Sequence, residues 1–286
     1  MKIITAYTDL SNALAQIYDV REGQTIAQYV FEDVFNITFP IEKGIFSIEE
    51  ISQFKAIKTR LLSAEPWQYV VGQADFYGLK FNVDQRVLIP RPETEELIYE
   101  IVQTIKKSRS KTISILDIGT GSGCIPITLK KELPQSTITA IDVSSGALAV
   151  AKMNAKLQDV TIDFREVNIL NTSNWAELGH FDMIISNPPY IPFSEKSLMR
   201  KNVLDFEPSI ALFVENEEPL IFYEKIAAFA AQYLNKNGRI YFEINEYLGE
   251  ATTKILTKYP FKNIELHQDI NGKDRILTGI LKTENH

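Results

Sequence analysis

Asn187-Pro188-Pro189-Tyr190 is the segment whose residue types best fit a chemical task. The Asn187 side-chain oxygen and the Pro188 carbonyl are both hydrogen-bond acceptors, and Pro189 holds Pro188 out of the helical region. Two converging acceptors match the two hydrogens of a planar NH2 group, and Tyr190 offers a ring to stack on its flat face. The chemistry that this arrangement suits is alkyl transfer to a poor nitrogen nucleophile. Such a nitrogen gains most from being held ~3–3.5 Å from an electrophilic carbon. Acceptors on both N–H bonds also stabilise the positive charge that develops on it. Asn187, Pro188 and Tyr190 are therefore the candidate catalytic residues, and Asn187, Pro188, Pro189 and Tyr190 the candidate substrate-binding set. The bland alternative is a proline-rich loop that merely ends a strand.

A second motif argues against that alternative. Ser114 to Gly123 reads as an apolar strand running into a glycine-rich turn and then a helix. The spacing is G-x-G-x-G, unlike the G-x-G-x-x-G turn that receives a dinucleotide pyrophosphate. Asp117 lies two residues before Gly119, where a carboxylate suits a cationic amino-acid tail better than a phosphate. About 20 residues on, Asp142 ends the next strand, the place from which a carboxylate accepts from ribose hydroxyls. Together they point to S-adenosyl-L-methionine over NAD. The cofactor-binding candidates are Asp117, Gly119, Thr120, Gly121, Ser122, Gly123, Asp142 and, from the reaction motif, Asn187. Cys124 follows at the helix start, where a lowered thiol pKa is conceivable, but with no neighbouring histidine it reads as a packing residue.

These motifs need a scaffold. Strands are expected at 114–118, 137–141, 161–167, 181–186, 239–244, 264–268 and 275–281, and helices at 93–107, 124–132, 144–158, 220–235 and 246–258. Such alternation predicts an α/β fold, a Rossmann-like, mostly parallel seven-stranded sheet with helices on both faces. The turn at Asn271-Gly272 between the last two strands predicts an antiparallel C-terminal pair. Before Pro66 the apolar spacing is helical: Leu10, Leu14 and Ile17; Ile26, Val30 and Val34; Ile51, Phe54, Ile57 and Leu61. Ser47 to Glu50 has the capping-box pattern, and Pro66 stops the third helix. Phe76 to Phe81 suggests a hairpin around Gly78, and Ile89-Pro90-Arg91-Pro92 a stiff extended connector. The domains predicted are a small helical bundle over 1–75, a hairpin and linker over 76–92, and the cofactor-binding domain over 93–286.

Composition narrows the partners. The net charge of −7 disfavours a protein whose main task is gripping phosphates. Cys124 is the sole cysteine, so intramolecular disulfides and a cysteine-rich zinc site are excluded; His180, His267 and His286 lack ligand spacing, and no metal is expected. With no apolar core of a signal peptide near Met1 and no long apolar run, a cytoplasmic location is expected.

Several segments resemble one family. Asn-Pro-Pro-Tyr after the fourth strand is shared by adenine-N6 DNA methyltransferases and protein glutamine-N5 methyltransferases. Arg86 to Glu95, Phe206-Glu207-Pro208 with Ala211-Leu212-Phe213, and Asp269 to Arg275 are similar to the second group, the peptide chain release factor glutamine methyltransferases (HemK/PrmC family). That resemblance implies a class I methyltransferase fold, S-adenosylmethionine as cofactor with S-adenosylhomocysteine as product, and a helical N-terminal domain for substrate recognition. It implies as target the glutamine side-chain nitrogen of the Gly-Gly-Gln motif in class I peptide chain release factors. It carries ribose binding to Asp142, cofactor-loop contacts to Gly119–Gly123 and amide recognition to Asn187–Tyr190. Where the family often has Asp beside the adenine, this chain has Asn168; Asn168 and Ile169 are the adenine-side candidates. Asn245 stands where the family favours Gly. An adenine-N6 nucleic-acid methyltransferase and a non-catalytic binding module are the rival readings. The first lacks a large target-recognition insertion here, and the second is disfavoured by the intact motifs.

Overall fold

The structure, a computed structural model, describes residues 1–41, 43–107 and 112–282. His286 lies outside them. The chain forms two compact units.

The first unit is Met1–Gln73 with Met199–Phe206. Its helices are α1 (Ile3–Leu14), α2 (Val20–Phe35), α3 (Ile48–Leu62), α4 (Trp67–Val71) and, from the later segment, α8 (Lys201–Phe206). Leu10, Leu14, Ile26, Val30, Phe31, Phe54, Ile57 and Leu61 fill one core, as a single apolar face per helix requires. The capping box forms between Ser47 and Glu50. Ile17 departs from the expected stripe: α1 stops at Leu14, Asp19 caps α2 by accepting from the Glu22 N–H, and Ile17 is left 41% exposed. α3 ends before Pro66, which instead opens α4, and Gly72 at φ 82° closes that turn.

The second unit is Ala74–Leu198 with Glu207–His286. It holds the strands of the hairpin, β1 (Gln73–Phe76) and β2 (Leu79–Asn82), and the connector. The contact boundary therefore falls between Gln73 and Ala74, at the first residue of β1, and not after Pro92. The reason is packing: Phe76 and Phe81 bury in the same cluster as Leu97 and Ile101 of α5 (Pro92–Lys107). Next come β3 (Ser114–Ile118), α6 (Cys124–Glu132), β4 (Thr137–Asp142), α7 (Ser145–Leu157), β5 (Asp163–Glu166), β6 (Phe181–Ser186) and β7 (Ile191–Pro192). After these follow α9 (Ser209–Leu212), β8 (Phe213–Val214), α10 (Ile221–Tyr233), β9 (Leu234–Glu243), α11 (Gly249–Thr257), β10 (Phe261–Gln268) and β11 (Asp274–Leu281).

The main sheet has seven strands in the order β10-β11-β9-β6-β3-β4-β5, and only the pairings of β11 are antiparallel. This is the Rossmann-like methyltransferase architecture with its antiparallel C-terminal pair. Both faces are covered, so the central strands are apolar in succession: Ile115, Met183 and Ile185 pack on one side, Leu116, Ile118 and Ile184 on the other. Three element starts differ from the expected ones by three residues or more, β10 among them, which begins at Phe261 and not at 264. β9 begins at Leu234, following directly on α10. α11 begins at Gly249 because Asn245 makes a turn, its side chain accepting from the Tyr247 N–H and its carbonyl from the Leu248 N–H. Asn245 has no left-handed backbone, so nothing at this position demands glycine.

The register positions the site. Ile118 pairs with Ser186 on one side and Ile141 on the other, and Phe242 of β9 pairs with Ser186. Gly119, Asn187, Asp142 and Glu243 thus leave the sheet side by side. The crevice lies where chain order reverses between β3 and β6, the expected ligand position in an open α/β sheet.

Candidate active site

A cavity of about 290 Å³ opens at these strand ends. Gly119, Gly121, Asp142, Asn168, Ile169, Asn187, Pro188 and Pro189 line it. Asp117, Thr120, Ser122, Gly123 and Tyr190 do not.

On the cofactor side, the loop is built by backbone geometry. Gly119 and Thr120 N–H both donate to the Ile141 carbonyl, at 2.9 and 3.0 Å, which ties the loop to β4. Gly119 and Gly121 have φ of 77° and 54°, and a Cβ on either would project into open space, so their absence leaves main chain open to a ligand. Gly123 is different: at φ 80° its Cβ would sit 2.9 Å from Ile127 Cδ1 and 3.1 Å from Ala151 Cβ, so it serves helix packing. Asp142 accepts from the Gly121 N–H and the Ser144 N–H, each at 2.9 Å and each on a different oxygen. Both oxygens retain lone pairs for a vicinal diol. Burial raises this carboxyl, and those backbone donors oppose the rise. The Asn168 oxygen accepts from the Leu170 N–H, 2.9 Å away, so the amide nitrogen is its unspent group.

Asp117 is wholly buried, and neither of its oxygens nor the Thr120 hydroxyl makes a hydrogen bond of good geometry. Burial pushes its carboxyl up to about 7; the nearby Thr120 hydroxyl opposes the rise, and the Asp142 charge adds to it. An orphaned buried carboxyl beneath a glycine cradle, beside a carboxylate with two free lone pairs, fits a cofactor that carries positive charge and a ribose. The Cys124 thiol is pushed up to about 12 by burial, which leaves it inert as a nucleophile.

On the reaction side, Ser186 Oγ donates to the Ile118 carbonyl at 2.8 Å and locks β6 to β3 just before Asn187. Tyr190 is half-buried against the core that contains Tyr223 and Phe242. Its hydroxyl is pushed up to about 12, chiefly by burial.

Other residues carry no local chemical signature and still shape the site. Arg86, Val87 and Leu88 line the cavity, as do Pro208, Ile210, Ala211, Phe222 and Ile226. The Ile89 N–H and Arg91 Nη2 both donate to Glu207, at 3.2 and 2.6 Å, joining the connector to Glu207-Pro208. Asp269 accepts from the Asn271 and Lys273 N–H groups and from Arg275, shaping the turn between β10 and β11. The only motif signal for any of these is the resemblance itself. Among the described residues no group of three or more His, Cys, Asp and Glu could hold a metal ion, and no helix is long and apolar enough to cross a membrane.

Residues 99–204 match the family model of the methyltransferase small domain. A release factor glutamine methyltransferase of Flavobacterium psychrophilum is 44% identical over 276 residues, spanning 94% of this chain and 96% of that one. One from Bacteroides thetaiotaomicron is 39% identical, spanning 97% of this chain and 99% of its own. Among solved structures, a methyltransferase from Pyrococcus furiosus shares the fold at a TM-score of 0.52 and 15% identity, covering 82% of this chain and 99% of that one. Similarity of this degree over almost the full length of both chains places the protein among the release factor glutamine methyltransferases, S-adenosylmethionine-dependent enzymes that act on protein glutamine.

Proposed function

We propose that the chain methylates the side-chain nitrogen of the glutamine in the Gly-Gly-Gln motif of class I peptide chain release factors. The observation that supports this most is the convergence of Asn187 and Pro188 with Gly119, Gly121 and Asp142 on one cavity. A nitrogen acceptor site and a cofactor cradle on the same crevice suit transfer between them. When bound, S-adenosylmethionine supplies an electrophilic methyl group on sulfur. Gly119, Gly121 and Asp142 would hold it, Asp142 through the ribose, with Asn168 and Ile169 on the adenine side. Asp117 favours its positive charge from beneath the loop.

The Asn187 side-chain oxygen and the Pro188 carbonyl accept from the glutamine NH2. They fix the direction of the nitrogen lone pair and stabilise the charge that builds on nitrogen. Pro189 keeps the pair extended, and Tyr190, packed against the core and not on the cavity, anchors the end of the loop. The helical unit recognises the body of the release factor, and the cytoplasm is the compartment that such a substrate implies.

The test is mass spectrometry of a class I release factor after incubation with enzyme and S-adenosylmethionine. The glutamine of Gly-Gly-Gln is expected to gain one methyl, and a release factor with glutamate there is expected to gain none. Asn187→Ala should slow single turnover ~100–1000-fold while cofactor binding is largely kept. Methylation of the glutamate variant at the same site, or normal turnover by Asn187→Ala, overturns the proposal.

A further inference from the structure

Three side chains distant in sequence meet at Asn187. Thr94, in the first turn of α5, donates its hydroxyl hydrogen to Glu243 Oε2 at 2.6 Å. Asn187 Nδ2 donates to Thr94 Oγ1 over a longer 3.4 Å. Thr94 and Glu243 are each only 3% exposed. Glu243 reaches this place because Phe242 pairs with Ser186, so the next residues of β9 and of the β6 strand lie abreast.

Resting on the reading that Asn187 holds the substrate amide, we propose that Glu243, acting through Thr94, is a positioning residue that turns the Asn187 nitrogen inward and leaves its oxygen free for the substrate NH2. A hydroxyl has one hydrogen. When Glu243 is a carboxylate, which only accepts, the Thr94 hydrogen is spent on it. Thr94 then has only lone pairs to offer Asn187, so the amide must present nitrogen to it. An Asn187 with the opposite orientation would set NH2 against NH2 at the substrate, with no acceptor between them.

A protonated Glu243 removes this directionality, because it can donate to Thr94 and free the Thr94 hydrogen for the Asn187 oxygen. The surroundings make that change accessible. Burial pushes the Glu243 carboxyl up to about 7, with Glu93 of α5 adding to the rise and Thr94, Arg275 of β11 and Asn187 opposing it. Tyr190, Tyr223 of α10 and Cys124 of α6 also face it; burial raises all three, so their protons stay on while Glu243 titrates. Arg275, whose Nη1 also donates to the Ile244 carbonyl at 3.4 Å, supplies positive charge beside this carboxyl.

The experiment compares the full-length wild-type protein with Thr94→Val, Thr94→Ser and Glu243→Gln. Valine is nearly isosteric with threonine but has neither donor nor acceptor; serine keeps the hydroxyl. Single-turnover transfer to a class I release factor is measured at saturating S-adenosylmethionine from pH 5.5 to pH 8.5, a range chosen to bracket the ordinary carboxylate and neutral values. The side-chain NH2 signals of Asn187 are followed by NMR over the same range without substrate.

Thr94→Val should turn over ~100-fold slower, the size of loss that misplacement of a reacting group brings, with cofactor affinity unchanged by calorimetry. Thr94→Ser should restore the rate. The wild-type rate should fall as pH drops through about 7, the pH at which the buried Glu243 gains its proton. Glu243→Gln, which cannot ionise and whose NH2 can donate to Thr94 as the protonated carboxyl does, should be slow across the whole range and lack that acidic fall. The Asn187 signals should titrate with the same midpoint in the wild type and not in Glu243→Gln. A wild-type rate from Thr94→Val, or an unchanged titration of Asn187 in Glu243→Gln, overturns the relay. Failure of the wild-type protein to methylate the release factor would count against the substrate reading alone, because the NMR titration judges the relay without substrate.

Discussion

Asp117→Asn separates the cost of a buried carboxylate from its use. Asp117 is on β3 with no exposure and no hydrogen-bond partner, and burial raises its carboxyl from an ordinary 3.8 to about 7. Its folded value lies above its unfolded one, so the folded state binds the proton more tightly. The stability this contributes is full below the unfolded value and is lost as pH rises through about 7. At about 1.36 kcal/mol per unit of pKa, the loss is on the order of 4 kcal/mol by pH 8. Asparagine has the same shape and cannot ionise. The cofactor-free variant is therefore expected to match the wild type near pH 4 and to exceed it by up to ~4 kcal/mol at pH 8.

Glu243, also raised to about 7, titrates in both proteins, so the wild-type minus variant difference isolates Asp117. Cofactor affinity should move the other way. A cationic ligand favours the carboxylate, so wild-type affinity rises with pH up to about 7 and binding below that releases protons. The variant binds more weakly, with no such dependence. Urea unfolding at pH 5, 6.5 and 8, and calorimetry in two buffers of different ionisation enthalpy, give both quantities. A stability difference that stays constant from pH 5 to pH 8 refutes the reasoning, and so does a variant that binds S-adenosylmethionine as tightly as the wild type.

Asp142→Ala removes the acceptor of the Gly121 and Ser144 N–H groups together with the proposed ribose ligand. Cofactor affinity by calorimetry should fall by ~1.5–3 kcal/mol, the size of charge-assisted hydrogen bonds, in a protein that stays folded; undiminished affinity would remove Asp142 from the site. Gly123→Ala places a Cβ 2.9 Å from Ile127 Cδ1 and 3.1 Å from Ala151 Cβ at a φ of 80°. Chemical unfolding should show a loss of ~1–3 kcal/mol from overpacking and left-handed strain, whereas Gly121→Ala, which meets open space at its Cβ, should cost only the strain.

What was legible in the sequence was local. The Gly119 to Gly123 turn, Asp142 and Asn187-Pro188-Pro189 each announce themselves within one strand-to-turn segment, and a parallel sheet then has little choice but to bring the strand ends together. The mostly parallel sheet followed from the same alternation, but not the order of its strands. Contacts that join distant segments were not legible. Met199–Phe206 packs with the N-terminal helices, and no periodicity within such a short helix reveals it. The hairpin belongs with the sheet because of where Phe76 and Phe81 are buried, a fact about partners and not about the hairpin's own residues.

Asn187 shows where the limit falls within a single side chain. Its residue type gives one acceptor and one donor group, and its place at the end of β6 aims it at the crevice. In the proposed relay, which group faces the substrate is decided elsewhere, by the one hydrogen of Thr94 and a carboxyl 149 positions from it in sequence. Glu243 looks from sequence like any acidic residue ending a strand. Only the pairing of Phe242 with Ser186 turns it into a neighbour of the reacting group, and only its burial makes its charge state sensitive near neutral pH.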